Sequence, residues 1–160
     1  MRRKRLLIAI YVCYLLILFR LIVFKYPFDT TRNILRSWEP GQVLHGIETA
    51  NFTLFRSVKM YIRYFDRIGG FENLVGNVAL FIPVGILQCA VRERTHRLTF
   101  LGVFLRCAAI SIGIECFQLV SRLGQFDVDD ILLNTFGAIL GFAVYEGYHI
   151  ACRRNKSGCE

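Results

Sequence analysis

Four long stretches of this chain are almost continuously apolar: Leu6–Phe24, Asn73–Val91, Leu98–Val120 and Ile131–Ala151. Each is about 20 residues, roughly the length a helix needs to cross the 30 Å hydrocarbon core of a bilayer. In the last three, the polar residues collect at one end. Asn73 and Asn77 open the second stretch, Glu115, Gln118 and Arg122 close the third, and Asp127, Asp130 and Asn134 open the fourth. If the stretches are antiparallel helices, all eight side chains meet at one leaflet. The pattern predicts an all-α integral membrane protein, a bundle of four transmembrane helices at about 6–24, 73–91, 98–120 and 131–151. It forms a single membrane domain over residues 1–160, with no room for a second globular unit and no internal repeat.

The loop over residues 25–72 is the one long connection. Tyr26-Pro27 and Pro40-Gly41 mark turns in a segment expected to be irregular. From Phe55 to Ile68 the pattern becomes helical. Phe55, Val58, Ile62 and Phe65 fall on one face, and Arg56, Lys59, Arg63 and Asp66 on another. This amphipathic helix has two placements: flat in the membrane interface against anionic lipid, or packed on the bundle with its charged face in water. Within the second stretch, Pro83 cannot donate to Ala79 and is expected to kink the helix. Gly85 permits close approach of a neighbour, and Gly137 with Gly141 forms a G-x-x-x-G packing face.

The chain is 54% hydrophobic, and its formal charge of +8 is a matter of topology rather than of nucleic-acid binding. Arg2, Arg3, Lys4 and Arg5 precede the first stretch; Arg92, Arg94 and Arg97 fill the short second loop; Arg153, Arg154 and Lys156 follow the last stretch. With four helices these segments share one side, which the positive-inside rule makes cytoplasmic. Both termini are then cytoplasmic, the polar cluster faces outward, and the first stretch reads as an uncleaved helix. Arg20 and Lys25 can snorkel to the outer headgroups. Cys13, Cys89, Cys107, Cys116, Cys152 and Cys159 fall within helices or on the cytoplasmic side, so they are expected to be free thiols, mostly buried.

Charged groups in hydrocarbon cost a few kcal/mol or more, so they pair, line a cavity or work. Ser111, Glu115, Gln118 and Arg122 form one helical stripe, and Asp127, Asp130 and Asn134 another across a short turn. Glu115 lies about seven residues, or roughly 10 Å, below Arg122, and is the deepest ionisable group of the cluster. Three chemistries are open. Glu115 and Asp130 can form an acid–base pair. Asp127, Asp129 and Asp130, with Glu115, can hold a divalent cation such as Mg²⁺ or Ca²⁺. Arg122, with the basic helix of the long loop, can grip a phosphate or carboxylate on a lipid-linked ligand. Against these stands a purely architectural use, in which Arg122 pairs with Asp127 or Asp130 and the amides tie helices together. His45, His96 and His149 are dispersed, and no nucleophile, zinc or phosphate-loop motif is present.

Three blocks carry a family resemblance. They are Asn51-Phe52-Thr53-Leu54-Phe55-Arg56, the run from Asn73 through Asn77, Phe81, Pro83 and Gly85, and Glu115-x-x-Gln118-x-x-x-Arg122 followed by Phe126-Asp127-Val128-Asp129-Asp130-Ile131-Leu132-Leu133-Asn134-x-x-Gly137. From about Asn51 onward the chain resembles the VanZ-like family of small bacterial membrane proteins, with Leu54 where that family usually has proline. The resemblance implies residence in the bacterial plasma membrane and a contribution to resistance against the glycopeptide teicoplanin, by a mechanism it does not supply. On this reading Asn73, Asn77, Glu115, Gln118, Arg122, Asp127, Asp130 and Asn134 bind a lipid-linked cell-wall precursor or a membrane-anchored lipoglycopeptide. The alternative is a membrane enzyme modifying a lipid headgroup or wall precursor, with Glu115 and Asp130 catalytic and Asp127, Asp129 and Asp130 around a divalent cation.

Overall fold

A computed structural model describes residues 2–65, 70–92 and 100–157. Helices account for nearly all of them: α1 (Arg2–Val23), α2 (Phe28–Arg36), α3 (Gly41–Thr49), α4 (Arg56–Arg63), α5 (Gly70–Val91), α6 (Phe100–Ser121) and α7 (Val128–Ser157). Four of these, α1, α5, α6 and the Val128–Arg153 part of α7, are long and apolar enough to cross a membrane. The protein is an all-α, multi-pass membrane protein. Arg94, His96, Arg97 and Cys159, and the 66–68 end of the amphipathic stretch, lie outside the described residues.

The bundle is built on α5 and α7, which make its most extensive contact. Small residues explain it. A Cβ on Gly141 would lie 2.0 Å from the Ile82 carbonyl oxygen, and one on Gly137 would lie 2.1 Å from that of Val78. Gly85 answers from α5, where a Cβ would come within 2.0 Å of the Ala138 carbonyl oxygen. Neither water release nor lipid favours association inside a bilayer, so backbone-close packing and dispersion hold such a pair. α5 runs continuously through Pro83. α1 packs on α5 and α6 through Leu18 and Val23, and the Tyr14 hydroxyl donates to the Leu80 carbonyl at 2.8 Å. Phe81, Val84, Val103, Cys107, Ile114 and Ala138 complete the apolar centre. The outer faces keep Leu16, Ile17, Leu105, Phe136 and Val144 exposed, as lipid-facing positions require.

Two expectations are corrected here, the irregular long loop and the mostly buried cysteines. The segment after Tyr26 is not irregular: its prolines start helices, with Pro27 preceding α2 and Pro40 preceding α3. Proline lacks the N–H that a first turn leaves unbonded, so the same residues that read as turns serve as helix starts. The amphipathic helix α4 packs on α5 and α7, but with Ser57, Val58 and Tyr61 inward; Phe55, Ile62 and Phe65 stay exposed. Polar contacts to the bundle, rather than the apolar stripe, set its rotation. Among the described cysteines, Cys89 and Cys107 are buried, whereas Cys13, Cys116 and Cys152 are exposed on the bundle exterior.

Candidate functional site

The end of the bundle where α1 and α6 finish and α5 and α7 begin carries the polar cluster. Its frame is a short backbone splice between the long loop and the α6–α7 turn. The Asn51 N–H donates to the Phe126 carbonyl at 2.8 Å, and the Val128 N–H donates to the Asn51 carbonyl at 3.0 Å. The Asn51 side-chain amide donates to Asp127 Oδ1 at 2.8 Å and to Ser57 Oγ at 3.0 Å, while its Oδ1 accepts from the Thr53 N–H at 3.0 Å. The splice brings α4 onto the start of α7.

Two of the aspartates are consumed by this frame. Asp129 is fully buried and accepts from the N–H groups of Phe55 at 2.6 Å, Ser57 at 2.7 Å and Val58 at 3.2 Å. Those N–H groups belong to the first turn of α4, which has no partners of its own and attracts an anion. Phe55 takes a left-handed conformation (φ 64°) to aim them. Asp127 caps α7 by accepting from the Asp129 N–H at 2.8 Å, and the Ser57 hydroxyl donates to its other oxygen. Among the described residues no group of three or more Asp, Glu, His or Cys is arranged to hold a metal. Of the residues expected to hold a cation, Asp127 and Asp129 turn oxygens toward N–H and O–H donors, while Asp130 is held from one side by Asn77.

Glu115 and Asp130 are different. Glu115 is 1% exposed, and its Oε2 accepts from the Asp127 N–H at 3.0 Å. Asp130 Oδ1 accepts from the Asn77 amide at 2.7 Å. Among the described residues no hydrogen bond reaches Glu115 Oε1 or Asp130 Oδ2. The two carboxyls are near enough to feel each other's charge, and Lys25 is the cation that acts on both. Tyr61 on α4 stands close enough to feel these acids. Burial first, and the surrounding Asp130, Asp127, Asp129 and Glu115 next, push its phenol well above the usual value, so it remains a hydrogen-bond donor.

The other predicted residues serve elsewhere. Asn134 donates to Ser111 Oγ at 2.9 Å, one turn below Asp130 and Glu115, and joins α7 to α6. Its Oδ1 is buried without a partner among the described residues. Gln118 donates to the Ile22 carbonyl at 3.3 Å and straps α6 to the end of α1. Arg122 makes no ion pair with Asp127 or Asp130 among the described residues. It ends α6 in a left-handed conformation (φ 62°), and its guanidinium lies against Gly46 of α3. Asn73 is exposed in the first turns of α5. Asn77, Glu115, Asp127 and Asp130 are thus gathered, while Gln118, Arg122 and Asn134 face other helices.

The VanZ/LLP1 family matches residues 11–150 of the chain. The chain belongs to this family. The curated relatives include Protein VanZ from Enterococcus faecium, 31% identical over 81 residues, which are 51% of this chain and 48% of that protein. The chain thus spans about half the length of that relative. No solved structure matches the chain.

For this VanZ/LLP1 protein, spacing alone missed Ser57, Tyr61 and Lys25. Ser57 and Tyr61 lie opposite the charged face of α4, beside the stripe of Phe55, Val58, Ile62 and Phe65 rather than within it, so the amphipathic pattern does not single them out. Lys25 looked like a headgroup anchor. Asn51 was visible only as part of a family-like block, and its role emerges from the splice to Asp127, 76 positions away.

Proposed function

We propose that this protein sits in the bacterial plasma membrane with both termini in the cytoplasm, and lowers susceptibility to glycopeptides of the teicoplanin type. Its outward-facing cluster holds a membrane-anchored ligand, a lipid-linked wall precursor or the lipoglycopeptide itself. The observation that carries this reading is the split among the acids. Asp127 and Asp129 spend their oxygens on the frame, whereas among the described residues Glu115 and Asp130 each keep one oxygen without a hydrogen bond, near Tyr61 and within reach of the Lys25 charge. Such a cluster offers acceptors, a phenolic donor and a cation to hydroxyl, amide or phosphate groups at headgroup depth. Family membership and the likeness to Protein VanZ support the resistance phenotype. Teicoplanin carries an acyl tail that places it at the membrane, and vancomycin has none, so protection is expected to favour the former.

The test is drug susceptibility in a sensitive Gram-positive host. Wild type is expected to raise resistance to teicoplanin and not to vancomycin. Glu115→Gln and Asp130→Asn are each expected to remove the effect while the protein still inserts. Equal protection against both drugs, or full protection from either variant, overturns the proposal. The same two free oxygens favour a second reading, an enzyme in which Glu115 and Asp130 exchange a proton with a lipid-linked substrate. It predicts an envelope lipid of altered mass on expression, lost with Glu115→Gln. An unchanged lipid profile leaves binding alone.

A further inference from the structure

A cavity of about 490 Å³ opens between the end of α1 and α2, lined by Arg20, Arg32, Arg36, Phe24, Phe28 and Leu35 among others. It lies beside the carboxyl cluster but shares none of its acids, and its chemistry is opposite. Three arginines line it, and among the described residues none of them has a carboxylate partner. Arg20 is held in place: its Nη1 donates to the Phe24 carbonyl at 2.7 Å, and its guanidinium sits 5.1 Å from the Phe24 ring centre. Arg32 and Arg36 stand one turn apart on α2, so both present their charges from the same face. Cations gathered without anions raise the energy of the protein alone, and a bound anion relieves it.

The apolar part of the lining indicates what kind of anion. Phe28 is 78% exposed and Leu35 is 47% exposed, more than a cavity for a small soluble ion requires. Leu16 and Ile17, four and three residues before Arg20, share its face of α1 and are 65% and 56% exposed. An apolar track thus runs from the guanidiniums along a transmembrane helix. Guanidinium suits phosphate because its fork matches two oxygens at once, and basic pockets beside membrane helices hold anionic headgroups. We infer that the α1–α2 cavity is a binding site for an anionic glycerophospholipid, its phosphate held by Arg20, Arg32 and Arg36 and an acyl chain lying along Leu16 and Ile17.

The test is native mass spectrometry of the full chain, stripped in detergent and titrated with phosphatidylglycerol or phosphatidylcholine. Soluble glycerol 3-phosphate serves as competitor. Phosphatidylglycerol is expected to bind and phosphatidylcholine to bind far more weakly. Removing two interfacial cations in Arg32→Gln/Arg36→Gln is expected to weaken phosphatidylglycerol roughly 30-fold, with helical circular dichroism unchanged. Arg32→Lys/Arg36→Lys, which retains charge but not the fork, is expected to keep the preference at reduced affinity. Equal binding of the two lipids overturns the inference, as does a glutamine pair that binds like wild type. Full displacement by glycerol 3-phosphate also overturns it, since it would make the cavity a headgroup site indifferent to the acyl chain.

Discussion

At the level of single residues, the acids of the polar cluster separate into those that build and those that remain available. Asp129 gathers three backbone N–H groups while fully buried, and a charged acceptor of that kind is worth about 1.5–3 kcal/mol for each good hydrogen bond. Asp129→Ala is therefore expected to destabilise the protein by on the order of 3 kcal/mol and to release α4, read as rapid proteolysis of the 51–65 region in detergent. Glu115→Gln, which keeps the shape and an oxygen for the Asp127 N–H, is expected to leave that proteolysis pattern unchanged. Tyr61 offers a pH test. Burial and four neighbouring carboxyls raise its phenol, so the tyrosinate absorbance lost in Tyr61→Phe is expected to come from a group titrating well above pH 10. Above pH 10 the unfolded chain releases this proton before the native one does. Stability contributed here is consequently present below that pH and lost as pH climbs. Neither role was legible locally, because Asp129 and Tyr61 acquire their partners from elements tens of positions away.

At the level of elements, the glycines sort themselves by what faces them. Gly85, Gly137 and Gly141 each sit against a backbone carbonyl of the opposing helix, closer than any side chain allows. Gly141→Val is expected to force α5 and α7 apart and to cost several kcal/mol, near the overpacking range or beyond it, visible as a collapse of thermal stability in micelles. Gly76, Gly113 and Gly147 meet nothing within 4 Å, so alanine at these positions is expected to be neutral or to stabilise by about 0.5–1 kcal/mol through helix propensity. The G-x-x-x-G spacing announced the first group in the sequence, although not its partner. The helices of the long loop were less legible. Pro27 and Pro40 break a preceding element and begin a following one with the same chemistry, and sequence alone does not say which use prevails. The rotation of α4 was also hidden, since its inward positions are a serine, a valine and a tyrosine rather than its most apolar residues.

For the whole molecule, the four spans and the loop packed across their ends make one end polar and leave the lipid-facing sides apolar. The orientation proposed here predicts that Gln125→Cys, in the exposed α6–α7 turn, reacts with a membrane-impermeant thiol reagent in intact cells. Cys152, near the far end of α7, is expected to react only after permeabilisation. The reverse labelling would turn the carboxyl cluster toward the cytoplasm and remove its access to an external drug. The sequence by itself determined the number of spans and their approximate bounds, because bilayer thickness and backbone hydrogen bonding leave a long apolar run little choice but a helix. It also determined that the polar residues of three spans share one end, since alternation of direction follows from short connections. Only the tertiary structure decided which acids are free. That choice depends on a loop whose N–H groups reach Asp129 from 71 to 74 positions away, and no local period or spacing encodes such a meeting.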